Sequence, residues 1–266
     1  MANSARRSPL INVMEAAARK AARGLLRDFG EVEHLQVSKK GPADFVSAAD
    51  HRVEGVLLRE LGKARPEYGF LFEEQGAREG ADKSNVWVID PLDGTTNFLH
   101  GIPHFAISIG LVRDGVPHAG VIYNPIHEEL YWGESGQGAW LNDRRLRVSA
   151  RRNLEEAVFA TGFPYKGRPT LPLAMRQVEP VLRECAGVRR MGAAALDLAF
   201  VAAGRYDGFW ELDLKPWDIA AGIVLVREAG GYVSEIYGKD LMTTCSILAT
   251  NDGFHTPLGE ILRAVT

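Results

Sequence analysis

The sequence predicts a single layered α/β unit. Strand-like and helix-like segments alternate along its length, the pattern of sheets covered by helices. No Pro/Gly/Ser-rich linker, repeat or low-complexity stretch divides the 266 residues, so 1–266 reads as one domain. An apolar content of 46% is enough to fill the core of such a unit.

Local chemistry predicts the elements in order. Ser8 as N-cap and Pro9 at the first helical position open a helix running to Phe29, after a start (1–8) expected to be disordered. A strand near 34–38 precedes a helix led in by Asp50, with Val53, Val56, Leu57 and Leu61 on one face and a stop around Gly62 and Pro66. Phe70-Leu71-Phe72 is a strand that ends in the acids Glu73 and Glu74, and the polar segment 75–84, with its two glycines, is expected to be mobile. After a short strand at 86–89, Phe105–Val112 and His118–Tyr123 pair across Arg113-Asp114-Gly115, a hairpin signal. Glu129–Gly133, Gly138–Leu141 and Arg145–Val148 continue as a meander.

The second half alternates more regularly. Strands are expected at Ala157–Thr161, Val188–Met191, Tyr206–Leu212 and Ser246–Thr250. Between them lie helices at Leu171–Cys185, at 193–203 (small and apolar throughout, hence buried) and at Pro216–Ala229, the last capped by Gly230-Gly231. Thr256-Pro257 opens a final helix.

Composition narrows the function. With 34 acids against 31 bases, the net charge of −3 makes no electrostatic case for binding nucleic acid or a membrane surface. Two cysteines, Cys185 and Cys245, make no disulfide framework, and a reducing, cytoplasmic compartment with both thiols free is expected. The longest strongly apolar run, Phe105 to Val112, is too short to span a bilayer. Arg19, Lys20, Arg23 and Arg27 interrupt the opening helix, so it holds no signal-peptide core, and Glu15 and Asp28 speak against an organellar presequence.

The most informative run is Trp87-Val88-Ile89-Asp90-Pro91-Leu92-Asp93-Gly94-Thr95-Thr96-Asn97-Phe98. A short strand delivers Asp90 to a sheet edge, where Pro91 is expected to halt ladder pairing and Gly94 to permit a turn closed to residues with a Cβ. Asp93 returns a second carboxylate, and Thr95 and Thr96 follow where backbone N–H groups point outward, a cradle for phosphate. Paired carboxylates beside such donors suit hard, oxygen-seeking Mg²⁺ bridging to a phosphoryl group. Read alone, the same residues could be a plain hairpin turn, since Asp, Pro and Gly are all turn formers.

Three further segments favour the first reading: Asp44-Phe45-Val46-Ser47-Ala48-Ala49-Asp50, the acid pair Glu73-Glu74, and Trp210-Glu211-Leu212-Asp213-Leu214-Lys215-Pro216-Trp217-Asp218. In this order they resemble the inositol monophosphatase family of Mg²⁺-dependent, lithium-sensitive phosphatases: D-x-V-(S/T)-x-x-D, the acid pair, D-P-(L/I)-D-G-T-(T/S)-N-(F/Y), then W-D. The resemblance runs from about Ala16 to the end and implies an αβαβα sandwich. It also implies a phosphate monoester hydrolase, most similar to bacterial inositol-1-monophosphatases, commonly dimeric and taking two to three Mg²⁺ per site.

By that resemblance the metal ligands are Glu73, Asp90, Asp93, Asp218 and the backbone carbonyl of Leu92. Adjacent strand residues leave on opposite faces, so only one of Glu73 and Glu74 can reach a metal, and the family pattern selects Glu73. Two ions about 3.5–4 Å apart would clamp the phosphoryl oxygens and acidify a water. The Thr95 hydroxyl, hydrogen-bonded to Asp50, would orient and deprotonate that water, assisted by Glu73, for in-line attack without a phosphoenzyme. Asp50 could instead be a plain N-cap before His51. Asp93, Gly94 and Thr95 with Gly192, Ala193, Ala194 and Glu211 would bind the substrate, the carboxylates accepting bonds from vicinal hydroxyls. Lys39 or Lys40 matches a basic residue of the family, and Lys215 could touch substrate or stand solvated.

Two other classes of function stay open on sequence. One is a relative acting on histidinol phosphate, fructose 1,6-bisphosphate or a 3′-phosphoadenosine nucleotide. The other is a partner-binding member of the fold without turnover, against which the filled ligand set counts.

Overall fold

In the computed structural model, which describes residues 7–31, 37–41, 44–164 and 167–265, the chain builds five layers. The first sheet has eight strands: β3 (Tyr68–Phe72), β4 (Gly76–Arg78), β5 (Asp82–Asp93), β6 (Ala106–Arg113), β7 (Val116–Asn124), β8 (Glu129–Glu134), β9 (Gly138–Leu141) and β10 (Arg144–Arg145), in the order β10-β9-β8-β7-β6-β5-β3-β4. The second has five: β11 (Val158–Thr161), β12 (Gly187–Arg189), β13 (Gly208–Glu211), β14 (Tyr232–Glu235) and β15 (Ile247–Thr250), in the order β12-β11-β13-β15-β14. A separate hairpin joins β1 (Val37–Gly41) to β2 (Asp44–Ser47).

Helices α1 (Pro9–Phe29) and α2 (Ala48–Ala64) cover the outer face of the first sheet. Between the sheets lie α5 (Ala194–Ala202) and α6 (Pro216–Glu228), and beyond the second sheet lie α4 (Leu171–Glu184) and α8 (His255–Ala264). Short α3 (Thr95–Leu99) follows β5, and α7 (Leu241–Thr244) precedes β15. Alternation along each strand makes the layers, because successive side chains point to opposite faces. Val121 joins Ile11, Met14 and Leu57 in the outer core, whereas its neighbour Ile122 joins Leu198, Ile223 and Phe209 in the middle one. Phe209 and Trp210 divide in the same way between the middle core and the third, which holds Val181, Leu258 and Leu262.

This is the predicted αβαβα arrangement, with local corrections. Ser8 caps α1 as expected, its hydroxyl accepting from the Ile11 N–H. The expected disorder fails at its inner end: Arg7 binds the Asn142 carbonyl and Glu15, while residues 1–6 lie outside the described ones. Of the strand expected near 34–38, residues 34–36 lie outside the described ones, and the described strand covers Val37–Gly41. Helix α2 starts at Ala48, so Asp50 is its third residue and not its N-cap. The polar 75–84 segment is not left loose, because Gly76–Arg78 pairs with β3 as an edge strand. The meander stops at Arg145, three residues short of expectation. Pro91 does not halt β5 either. The strand continues to Asp93 through a bulge, two residues (Pro91 and Leu92) facing one on β6 (Ile107), and a bulge is where a strand interior tolerates proline.

Candidate active site

The bulge aims the chemistry. β3 and β5 run parallel, so their carboxyl ends lie side by side and bring Glu73, just past β3, next to Asp90 and Asp93. Gly94 follows with φ of 92°, and a Cβ there would stand 3.0 Å from the His104 carbonyl oxygen, so the turn into α3 needs glycine. From the second sheet β13 delivers Glu211, and the first turn of α6 delivers Asp218. The start of α5 adds Ala193 and Ala194.

These residues share one cavity of about 350 Å³, whose wall includes Glu73, Asp90, Leu92, Asp93, Gly94, Thr95, Gly192, Ala193, Ala194, Glu211 and Asp218. Asp50 is absent from that wall. It is fully buried, and its Oδ1 lies 3.4 Å from the Thr95 hydroxyl, which also donates to the Leu92 carbonyl at 3.0 Å. Glu74 is not on the wall; its N–H donates to the buried Glu54 carboxylate. Lys215 lines a side pocket of about 50 Å³ that also touches Glu211 and Asp218. The side chains of Lys39, Lys40 and Asp44 lie outside the described ones.

Three of the acids on the wall are anchored by backbone. Asp90 Oδ1 accepts from Leu92 N at 2.8 Å, and Asp93 Oδ2 from Ala195 N at 2.8 Å, at the start of α5. Asp218 Oδ2 accepts from Lys215 N at 2.7 Å, half of a capping box whose other half Lys215, a pure donor, cannot supply. Backbone N–H groups thus fix the orientation of these three carboxylates at the cavity. Glu211 approaches through a gap in the opposite wall, since a Cβ on Gly162 would lie 2.0 Å from its Oε2.

Burial and mutual repulsion define the electrostatics. Burial first, then Glu73, Asp93 and Asp218, hold the Asp90 carboxyl well above the usual carboxylate range. Burial, then Glu73 and Asp93, do the same to Asp218. Asp93 is pushed up to about 7 by burial against the Ala195 bond that favours its charge, and Glu211 to about 8 by burial against Arg190. Among the described residues no three His, Cys, Asp or Glu side chains are closed into a ready-made metal cage. The donor set nevertheless fits a hard cation: carboxylate and carbonyl oxygens only, crowded enough that their charge calls for a positive partner. Burial raises the thiols of Cys245, to about 12, and Cys185, so both stay protonated bystanders.

Sequence reasoning missed three residues here. Arg190 lines the cavity and opposes the rise of Glu211; its signal was the basic pair Arg189-Arg190 just before Met191-Gly192. Asp197 corrects the expectation that 193–203 is apolar throughout: it is buried, its Oδ1 has no hydrogen-bond partner, and burial followed by Glu211 and Asp93 holds it well above the usual range. Asn97 ties the two halves of the cavity together, its Nδ2 donating to the carbonyls of His104 and Met191 at 2.8 Å each.

Five layers with an acid-lined cavity between the carboxyl end of one sheet and the helices of the middle layer define a layered α/β protein whose cavity carries donors suited to a hard cation. The chain belongs to the inositol monophosphatase family, which matches residues 6–265. It is 57% identical over 247 residues to an inositol-1-monophosphatase of Mesorhizobium japonicum, covering 92% of this chain and 93% of that one. It is also 45% identical over 244 residues to Nus factor SuhB of Escherichia coli, covering 91% of each. The crystal structure of extragenic suppressor protein suhB from Bartonella henselae superposes with a TM-score of 0.93 at 53% identity, over 96% of this chain and 99% of that one.

Proposed function

We propose that this chain hydrolyses myo-inositol monophosphate to myo-inositol and phosphate, with Mg²⁺ held by Glu73, Asp90, Asp93, Asp218 and the Leu92 carbonyl. The observation that carries the reading is the gathering of these groups and Glu211 around one cavity. Bound there, two to three Mg²⁺ would neutralise phosphoryl charge and lower the pKa of a water. The first turn of α3, at Thr95 and Thr96, presents N–H groups with no partner inside the helix to the phosphate oxygens. The Thr95 hydroxyl has one proton to give. With the Leu92 carbonyl engaged in holding a metal, that proton would go to Asp50, and Thr95 would in turn accept the proton of the attacking water, with Glu73 assisting. Attack is in line and leaves no phosphoenzyme.

Glu211 and Asp93 accept bonds from the polyol hydroxyls, and the small residues Gly192, Ala193 and Ala194 let the ring approach. The name of the Mesorhizobium japonicum relative supports inositol 1-phosphate over histidinol phosphate, fructose 1,6-bisphosphate or a 3′-phosphoadenosine nucleotide. A phosphate-release screen across these four tests the choice, and faster turnover of any of the other three overturns it. Sensitivity to millimolar-range lithium belongs to the same reading.

A homodimer in the cytoplasm completes it. Exposed Ile102 and Met191 are both tied to Asn97, which takes the Ile102 N–H on its backbone carbonyl and donates to the Met191 carbonyl, and exposed apolar side chains suit an interface. No described helix is long and apolar enough to cross a membrane. Light scattering on the eluted protein tests the dimer, and a monomer mass overturns it. A second reading, in which the chain also docks a protein partner, draws on the Escherichia coli relative, whose name mentions no phosphatase.

A further inference from the structure

Helices α1 and α2 lie antiparallel on the first sheet, because Lys20 pairs with Glu60 and Asp28 with Arg52, later residues of one meeting earlier residues of the other. Between them runs a groove of about 400 Å³, as large as the acidic cavity and opposite in charge. Its walls carry Lys20, Arg27, Arg52 and Arg59 against a single acid, Asp28, on a chain whose net charge is −3. Lys20 is already held by Glu60 at the rim, which leaves the three arginines.

Two of those arginines are held from below. Asp28 is 6% exposed, and its Oδ2 accepts from Arg52 Nε at 3.1 Å and Nη2 at 2.6 Å, while its Oδ1 lies 3.4 Å from Arg27 Nη2. Each guanidinium carries five donors in a rigid fork, so a carboxylate that fixes one edge orients the rest. The groove is also kept open. Gly24 on α1 and Gly55 on α2 line it, and a Cβ on either would meet no atom within 4 Å, so helix packing does not demand them. Glycine inside a helix is nonetheless less stable than alanine.

We propose that this groove binds a small molecule carrying two or more linked phosphates, at a site separate from the acidic cavity. Guanidinium forks match phosphate oxygens two at a time. Linked phosphates are needed because the arginines sit on both helices, Arg27 on α1 and Arg52 and Arg59 on α2. The inference goes beyond the phosphatase reading and does not depend on it.

Isothermal titration with inorganic tripolyphosphate, Mg²⁺ in excess throughout, tests it on three full-length proteins: wild type, Arg27→Ala/Arg59→Ala and Asp90→Asn. The double variant removes two exposed side chains and keeps the Asp28–Arg52 pair. Wild type and Asp90→Asn are expected to bind one equivalent alike, more weakly as salt rises. The double variant should bind at least tenfold more weakly with its melting temperature and phosphatase turnover unchanged. Gly55→Leu, which puts a side chain into the groove, should weaken binding without lowering the melting temperature. No binding by wild type, undiminished binding by the double variant, or loss confined to Asp90→Asn would overturn the proposal. Failure of the phosphatase reading would appear separately, as no phosphate released from any monoester.

Discussion

Glu73 and Glu74 are one bond apart and face different tasks. Glu73 stands on the cavity wall, whereas the Glu74 N–H caps the buried Glu54 carboxylate at 3.1 Å. Glu73→Gln should therefore cut turnover by at least about a hundredfold and Glu74→Gln far less, with equal or reversed losses contradicting the assignment. Asp50 is fully buried beside the Thr95 hydroxyl. Asp50→Asn keeps its shape but removes the charge that draws the proton, so kcat should fall about 10²–10⁴-fold with little change in melting. Thr95→Ala should match it, and the pair together should lose little more than either alone. Near-normal turnover in Asp50→Asn would move the base role to Glu73. Glu211 offers a test by pH. Burial lifts its carboxyl from the ordinary 4.5 to about 8, so across that window the native state keeps a proton the unfolded chain has released. Stability contributed by the proton is present at low pH and lost as pH rises through 8. In metal-free protein Glu211→Gln should flatten the fall in melting temperature over that range, leaving the parts due to the other raised carboxyls, Asp90, Asp93, Asp197 and Asp218; an unchanged profile would contradict the assignment. The acids of the run from Trp87 to Phe98 were legible in sequence because Pro91 and Gly94 punctuate them. Arg190 and Asp197 were not, since their meaning comes from Glu211, which only folding brings near.

At the scale of elements, α6 carries Asp218 and lies tight on the first sheet. A Cβ on Gly120 would stand 2.5 Å from the Ala221 carbonyl oxygen and 2.7 Å from its Cα, both backbone atoms that cannot swing aside. Gly120→Ala should push α6 outward, cost about 1–3 kcal/mol as overpacking does, and lower turnover by displacing Asp218. Denaturant midpoints with initial rates check this, and wild-type values in both would show that α6 is not held there. The helices with caps and stripes, α1 and α6, were readable from Ser8, Pro9, Pro216 and Gly230, and so was the hairpin at Asp114-Gly115. Edge strand β4 and short α7 were not, and β10 was placed at Arg145–Val148 where the strand is Arg144–Arg145, because residues such as Gly76 and Arg144 take strand form from the neighbour they pair with and not from a pattern of their own. The bulge in β5 was misread as a stop, although proline suits both.

For the molecule as a whole, the alternation of Val121 with Ile122 and of Phe209 with Trp210 announces two-faced sheets without saying which helix covers which face. The order of layers was therefore legible through the family resemblance and not through periodicity. Layering is also what makes the site: Glu73, Asp90 and Asp93 come from the first sheet, Glu211 from the second and Asp218 from between them. Crowding acids from three layers leaves a charge that the fold does not balance alone. Any cation that binds there only in the native state stabilises it by mass action, so Mg²⁺ should raise the melting temperature and Asp90→Asn should blunt that rise. The most direct measurement is the initial rate of phosphate release from myo-inositol 1-phosphate, with Mg²⁺ and then with excess EDTA. Turnover that requires Mg²⁺, vanishes in the chelator and returns when Mg²⁺ is restored is the predicted result, whereas full turnover in excess EDTA would contradict the assignment of these acids to a metal.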